Sequence, residues 1–434
     1  MSLDNGMKGA ELASLLKSSI KFKSSDGVKE PGLRLNGEQI QWWQDAKFGL
    51  FVHWGLYSQH GRGEWLMFNE KIPAAEYARF TEQFTPRKFD AAEWARIAAD
   101  AGMRYAVMVA RHHDGFALWD SPSSYLDFTS ARTAARRDFI REYTQAFQAA
   151  GFHTGLYYSL MDWRFPGYFQ PRELPQSAAQ MKAQCYGQIE ELMSRYGKIE
   201  ILWYDGGWLA HQGTDAGGAW LWEPGKLNRM AREHQPGLVI NERSGWEGDF
   251  ETDEGPHPVS GPIMPLRWEK CFSVSRAWGY ASPDEPLPYE RVLSLLVNTW
   301  VRGGNVLLNV GPDGEGAIPP GQAAVLAKIG AFLRENGEAV YATRPGPFQP
   351  VDEVYGATCR GSTVFLHVLD PRALGLLPAL PQRVLACRAL GGEAVPFTQD
   401  ESGIRLEIPP HLWRAVDTVI RLELDAPVPV QLLD

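Results

Sequence analysis

The sequence predicts an α/β fold: a (β/α)8-like, TIM-type barrel with one distorted unit, followed by a C-terminal β-sandwich. Three observations carry that expectation. Strand-like and helix-like runs alternate from residue 42 to residue 336, which implies parallel strands joined by helical crossovers. Polar and aromatic residues close at least four different strands, as a barrel with its site at the strand C-termini requires and a single switch-point crevice does not. After Asn336-Gly337 the texture turns to short alternating runs broken by Gly and Pro. The expected division is an N-terminal arm over 1–36, a barrel over 37–340 and a β-sandwich over 341–434.

Residues 1–36 are polar and rich in Lys, Ser and Gly, which predicts a loosely ordered arm with one short helix over 11–18. Strands are expected over 48–53, 105–111, 154–159, 199–205, 238–241, 272–275 and 306–310. Helices are expected over 91–101, 138–150, 178–196, 226–234, 289–302 and 321–336. Seven strands are legible; the eighth is not. Pro345-Gly346-Pro347 and Pro350 predict a linker, and the runs 363–369, 382–390, 404–408 and 418–424 predict sandwich strands. That C-terminal part carries neither a Trp cluster nor a polar constellation, so its expected role is to cover one side of the barrel.

At 434 residues, 44% hydrophobic and 22% charged, the composition is that of a soluble globular protein with more than one domain. A net charge of -9 argues against nucleic acid or an anionic membrane surface as the main partner. Cys185, Cys271, Cys359 and Cys387 are widely spaced with no CxxC, so neither a zinc cluster nor a disulfide framework is indicated. Residues 1–40 lack a signal-peptide core, and no apolar run is long enough to span a bilayer. The expectation is a cytoplasmic protein, with a periplasmic or secreted location as the alternative if a signal peptide was removed. Oligomeric state stays open, a homo-oligomer included. Sixteen Trp is well above ordinary usage, which points either to a Trp-rich core or to stacking faces for sugar.

Asp205 ends the apolar run 199–205 and is followed by Gly206-Gly207. A strand that delivers one carboxylate to its tip, where the backbone turns sharply, aims that group into a cleft. The plain alternative is an Asp capping a turn. Trp203, two residues earlier on the same strand face, favours the pocket. Other strands end in His53-Trp54-Gly55, His112-His113-Asp114, Tyr157-Tyr158-Ser159 and Asn241-Glu242-Arg243, a set that reads as a sugar site. Glu64-Trp65 adds an acceptor and a stacking face in a post-strand loop.

Glycoside hydrolysis needs two carboxylates. The acid-rich loop 248–255 follows Arg243 and offers Glu251 and Glu254; Glu269 is a rival, and spacing alone does not choose among the three. His112-His113 lacks metal-ligand spacing, because neighbouring residues on one strand point to opposite faces, so no metal is expected. Neutral imidazoles bonding to sugar hydroxyls fit better. No GxSxG elbow, P-loop or GxGxxG is present.

Six motifs in register, 47–55, 112–116, 155–159, 202–207, 275–280 and 303–312, resemble the α-L-fucosidases of glycoside hydrolase family 29 over about residues 42–341. The resemblance implies a distorted barrel with a β-sandwich, acting on terminal α-L-fucosyl residues by a retaining double displacement without metal or organic cofactor. It puts the nucleophile at Asp205 and the acid/base at Glu254. It puts fucose binding at His53, Glu64, Trp65, His112, His113, Tyr157, Trp203, Arg243 and Trp278. Two departures from the family pattern stand out: Asp253 precedes Glu254 where a small residue or Pro is usual, and Arg111 replaces Lys before His112-His113. A glycosidase for an L-galactose-like sugar and an inactive carbohydrate-binding relative are the rival readings.

Overall fold

The computed structural model describes residues 9–22 and 27–429. Its centre is a sheet of eight parallel strands: β1 Phe48–Val52, β2 Tyr105–Arg111, β3 His153–Ser159, β4 Ile201–Asp205, β5 Val239–Ile240, β6 Glu251–Glu254, β7 Trp268–Ser273 and β8 Asn305–Val310. The spatial order β5-β4-β3-β2-β1-β8-β7-β6 follows the chain around a curled sheet. The two ends, β5 and β6, meet through the bridge between Asn241 and Phe250. Asp249 explains why so little pairs there. Its carboxylate accepts the N–H of Ile240 at 2.8 Å and that of Leu35 at 2.8 Å, so a side chain takes the bond a neighbouring strand would make.

The eighth strand is the acid-rich segment read from sequence as a loop. Glu-Thr-Asp-Glu shows no apolar alternation, so nothing in its pattern announces a strand. Tertiary partners make it one: Asp253 is fully buried against Lys270 Nζ at 2.7 Å on β7. A buried carboxylate is tolerated when it is paired and hydrogen-bonded in this way. Residues 255–267 between β6 and β7 form no helix, so this unit breaks the strand–helix alternation as well.

The arm is not loose where it is described. Its helix is Gly9–Leu15, and Leu12, Ile20 and Phe22 pack on Val259, Met264 and Trp268. Lys21 N–H donates to Asp253 at 2.9 Å. A second helix, Gly37–Ala46, went unread, although Asn36 and Gln39 form a capping box at its start. Ile40 and Trp43 from this helix close the N-terminal end of the barrel interior, with Trp43 stacked on Phe250 at 4.5 Å.

Side-chain parity then does the sorting. Ile201 and Trp203 of β4 point into the barrel, while Leu202 and Tyr204 join the outer layer under the helices. Each inward row climbs two residues at a time to a polar tip, 201–203–205 on β4 and 51–53 on β1. Nine of the sixteen Trp are less than 2% exposed, so most of that excess builds core.

The C-terminal part forms an antiparallel five-stranded sheet, with Arg344–Pro345, Tyr355–Arg360, Thr363–Val368, Val384–Ala389 and Thr418–Leu424, and a separate two-stranded ribbon. The Pro-rich stretch expected as a linker supplies the edge strand Arg344–Pro345, a position where a missing N–H is harmless. Phe365 and Val419 pack on Ala339 and Phe332, which fastens this sheet to the helical side of the barrel.

Candidate active site

At the C-terminal end of the strands lies a cavity of about 360 Å³, lined by all eleven residues singled out from the sequence: Asp205, Glu254, His53, Glu64, Trp65, His112, His113, Tyr157, Trp203, Arg243 and Trp278. Its size suits a monosaccharide rather than a polymer groove.

Asp205 is the last residue of β4, and the chain turns at once through Gly206 with φ of +68°. A side chain at 206 would be strained there and would crowd Met161. The carboxylate is 14% exposed, so a ligand can reach it. Tyr157 Oη donates to Oδ2 at 2.9 Å, and Arg243 Nη1 donates to Oδ1 at 3.1 Å. Burial alone would raise the Asp205 pKa. The charge of Arg243 and the hydrogen bonds from Tyr157 and Arg243 outweigh it and hold the pKa below the ordinary carboxylate value. The group is therefore an anion in the resting site. Tyr158, the neighbour of Tyr157, points outward and bonds Gln188.

Arg243 follows β5 in a short 3-10 turn. Its guanidinium lies over the Trp203 ring at 4.7 Å, donates to Asp205 from Nη1 and donates to Glu254 Oε2 from Nη2 at 2.9 Å. The two carboxylates are thus spaced by the width of one guanidinium group. Its third nitrogen, Nε, donates to Thr252 Oγ1 at 2.9 Å, and that hydroxyl donates to buried Glu242 at 2.6 Å. Thr252 and Glu254 alternate on the inward face of β6.

Parity also separates the three acid candidates. Glu251 sits on the other face of β6 and does not line the cavity. Glu269 lies on β7 one inward position below Cys271. There it accepts Tyr105 Oη at 2.5 Å and Trp203 Nε1 at 3.1 Å inside the barrel, and burial lifts its pKa to about 7. Glu254 alone of the three reaches the cavity.

The imidazoles are neutral. Burial lowers His53 and His113 from 6.5 to about 4, and puts His112 well below its ordinary value. Ser159 Oγ donates to the Met161 carbonyl, so His113 Nδ1–H donates to Ser159 at 2.7 Å and leaves Nε2 as an acceptor. Asn309 Nδ2 donates to Ser273 and the Trp278 carbonyl. Its Oδ1 therefore accepts His53 Nδ1–H at 2.7 Å. Among the described residues His112 Nδ1 has no hydrogen-bond partner. His112 and His113 lie beyond the end of β2, so both turn to the cavity, against the strict alternation assumed from sequence. Glu64 accepts the Gly279 N–H at 2.8 Å, which ties the loop after β1 to the segment carrying Trp278.

The histidines also set a pH dependence. In the unfolded chain they protonate near 6.5, but in the fold His53 and His113 do so at about 4. As pH falls through that window the unfolded state binds more protons, and stability drops. Glu269 and Asp215, raised to about 7, act in the opposite sense over part of the same window, so the histidine contribution is read as a difference: between pH 6.5 and pH 4 a His113→Gln variant is expected to lose less stability, or gain more, than the wild type, which paired thermal melts will measure.

The cavity also uses residues not singled out from sequence. Phe51 and Cys271 lie on inward rows; Phe51 could have been found two residues before the His53 tip, whereas Cys271 stands two residues beyond Glu269 on a strand whose tip was not read. Trp208, His211 and Asp215 come from the segment after Gly206-Gly207, which has no periodic signal. Asp215 accepts the Trp208 N–H at 3.2 Å, and burial, reinforced by Asp205 and Glu242 and opposed by Arg243, raises its pKa to about 7.

Known proteins resemble this chain in sequence and fold. The family model described as alpha-L-fucosidase matches residues 25–338. Tissue alpha-L-fucosidase of Rattus norvegicus is 30% identical over 85% of this chain and 86% of its own length. The structure of alpha-L-fucosidase isoenzyme 1 from Paenibacillus thiaminolyticus is 34% identical, with a TM-score of 0.77 over 89% of this chain and 99% of that one. A Bacteroides thetaiotaomicron GH29 alpha-L-fucosidase is 25% identical, with a TM-score of 0.80 over 94% and 99% of the two chains. It was captured as a trapped covalent intermediate with 2-fluoro-fucosyl fluoride, using a Glu→Gln mutant. With the match spanning most of the barrel, and relatives of like length on both sides, the chain belongs to the α-L-fucosidases of glycoside hydrolase family 29.

Proposed function

We propose that the cavity takes a terminal α-L-fucosyl residue and that Asp205 and Glu254 carry out its hydrolysis with retention. The observation that carries this assignment is Arg243 bonding both carboxylates at 3.1 Å and 2.9 Å. Retaining glycosidases hold their two carboxyl groups about 5–5.5 Å apart, too close for a water to intervene, and two carboxylates drawn to one guanidinium support a close pair of this sort.

Asp205 attacks the anomeric carbon while the bond to the leaving oxygen breaks and Glu254 gives that oxygen a proton. Glu254, now a carboxylate, takes a proton from water. The water attacks the same carbon, the bond to Asp205 breaks, and fucose leaves with its original configuration. Arg243 and Tyr157 hold Asp205 ionised and aimed. His53 and His113 offer acceptor nitrogens to ring hydroxyls, and His112 supplies a further polar group. Trp203, Trp278 and Phe51 form the apolar wall against which the C6 methyl fits.

Rates on aryl α-L-fucoside and aryl α-L-galactoside, with the first-formed anomer followed by NMR, test the reading. Preference for the fucoside and release of the α-anomer are expected. Preference for the galactoside would shift the substrate, and release of the β-anomer would overturn retention.

The strut from Glu242 through Thr252 to Arg243 makes its own prediction. Thr252→Val keeps the shape but removes the hydroxyl, and should lower kcat/KM on fucosides by roughly ten- to a hundredfold, because a small misplacement of a positioning group is amplified in rate. Thr252→Ser should stay near wild type. Equal losses in the two variants would mean that packing, not the hydrogen bond, matters at 252.

A further inference from the structure

Glu254 is the last residue of β6, and two things place it. Arg243 Nη2 holds its carboxylate at 2.9 Å, and the tip of β6 sets its backbone. That tip lies beyond the reach of β5, which ends at Ile240 and meets β6 only through the bridge between Asn241 and Phe250. Directly after Glu254 the chain turns through Gly255, with φ of +103°. On one edge β7 pairs in register, Asp253 beside Lys270 and Glu254 beside Cys271. On the other edge, among the described residues, the partner at this level is the N-terminal arm: Phe22 forms an antiparallel bridge with Asp253.

The side chain of Asp253 gathers the same segments. It points out of the barrel, away from the cavity that Glu254 enters, and it is fully buried. Its Oδ2 accepts Lys270 Nζ at 2.7 Å, and its Oδ1 accepts the Lys21 N–H at 2.9 Å. His257 Nε2, just past the Gly255 turn, stands 3.0 Å from Oδ1. One carboxylate therefore ties β6 to β7, to the arm and to the chain leaving the strand. Burial would raise the Asp253 pKa, but the bond from His257 and the charge of Lys270 outweigh it, so the group is ionised. The Phe22 ring meets that of Trp268, the first residue of β7, edge-on at 6.2 Å and covers the pair from the arm side.

Stability alone does not account for this arrangement. Taking a carboxylate and an ammonium out of water costs about what their attraction returns, and an apolar pair of similar volume often serves a fold as well or better. The buried charges do impose a geometry, because all their bonds are made only when three segments arrive at fixed separations. The residue next along the strand is Glu254, which must meet a leaving oxygen at hydrogen-bond distance. A misplacement of about 1 Å in such a group can cost as much as a hundredfold in rate. We propose that Asp253 is a positioning residue for the acid/base: clamped by Lys270, the arm and His257, it fixes the tip of β6 so that Glu254 is aimed at the leaving oxygen. The proposal rests on the reading of Glu254 as the acid/base and deepens it.

Two variants test it. Asp253→Asn keeps the shape and loses the charge. The double variant Asp253→Leu/Lys270→Met replaces the pair by apolar side chains of similar volume and leaves no buried charge unpaired. Thermal melts identify the variants that are folded at the assay temperature. The substrates are aryl α-L-fucosides whose leaving phenols run from strongly to weakly acidic, with α-L-fucosyl fluoride at the end that needs least protonation. The readout is kcat/KM, which reports the first chemical step. Both variants are expected to lose roughly tenfold on the phenyl fucoside, whose leaving oxygen needs a proton. Fluoride hydrolysis should stay within about twofold of wild type, so the dependence on leaving group steepens. A folded variant with the wild-type dependence would overturn the positioning role. Equal losses on good and poor leaving groups would overturn it too, since they would place the damage in the fucosyl pocket or the fold. Glu254→Ala is assayed alongside. If its own losses do not depend on the leaving group, the acid/base reading fails; if they do and those of the Asp253 variants do not, the positioning role fails by itself.

Discussion

Asp205→Gly is expected to hydrolyse aryl α-L-fucosides at least about four orders of magnitude more slowly than the wild-type enzyme, the loss typical when a covalent nucleophile is removed. The geometry makes a second, more specific demand. The substitution opens a space at the tip of β4 beside Arg243 and Tyr157, both of which donated to the lost carboxylate. A small anion such as azide can occupy that space and attack the anomeric carbon from the face Asp205 used. The product should be β-L-fucosyl azide, inverted relative to the substrate, which NMR identifies. Asp215 also lines the cavity, and azide should not rescue Asp215→Gly. An Asp205→Gly variant with near-wild-type turnover would remove the assignment outright.

Glu254→Ala should separate substrates by their leaving groups. A fucosyl disaccharide departs as a poor leaving group and needs its oxygen protonated, so its hydrolysis should fall by roughly two to four orders of magnitude. An activated aryl fucoside or the fluoride leaves unaided, and its first step should be far less affected. Under those conditions the glycosyl-enzyme accumulates, because the same residue must deprotonate the incoming water. Mass spectrometry should then find one added fucosyl unit on the intact protein and, after digestion, on the Asp205 peptide. The same losses on good and poor leaving groups would make Glu254 a binding residue. Glu269→Gln is the control: buried between Tyr105 and Trp203, it should leave the leaving-group dependence as in wild type.

The legible parts of the fold were those with local pattern. β2 and β8 alternate or run apolar, and their inward rows follow from parity alone. The helix Ala91–Asp100 carries its N-cap at Asp90, and its apolar positions recur on one face. What escaped had no such pattern. β6 is a strand of charged and polar residues whose burial depends on Lys270, 17 residues further on. The helix Asp215–Trp222 begins where a Thr214 cap is hard to tell from the surrounding Gly-rich loop.

For the site, the sequence by itself determined which residues stand at strand tips, because a period of two and a glycine turn are properties of a few neighbouring residues. Asp205, His53 and Trp203 were readable on that ground alone, whereas Tyr157 was set apart from Tyr158 only by the family resemblance. The tertiary structure decided everything that depends on two distant segments meeting. It placed Glu254 at the cavity and kept Glu251 and Glu269 from it, by fixing which face of β6 and which layer of β7 open there. It brought Thr252 and Glu242 behind Arg243. It also brought Trp65 and Phe68, Trp163 and Phe169, and His211 together from three separate loops. Spacing along the chain cannot supply such choices, because the energy that makes them lies in contacts between residues 10 to nearly 150 positions apart, such as Glu242 with Thr252 and Phe68 with His211.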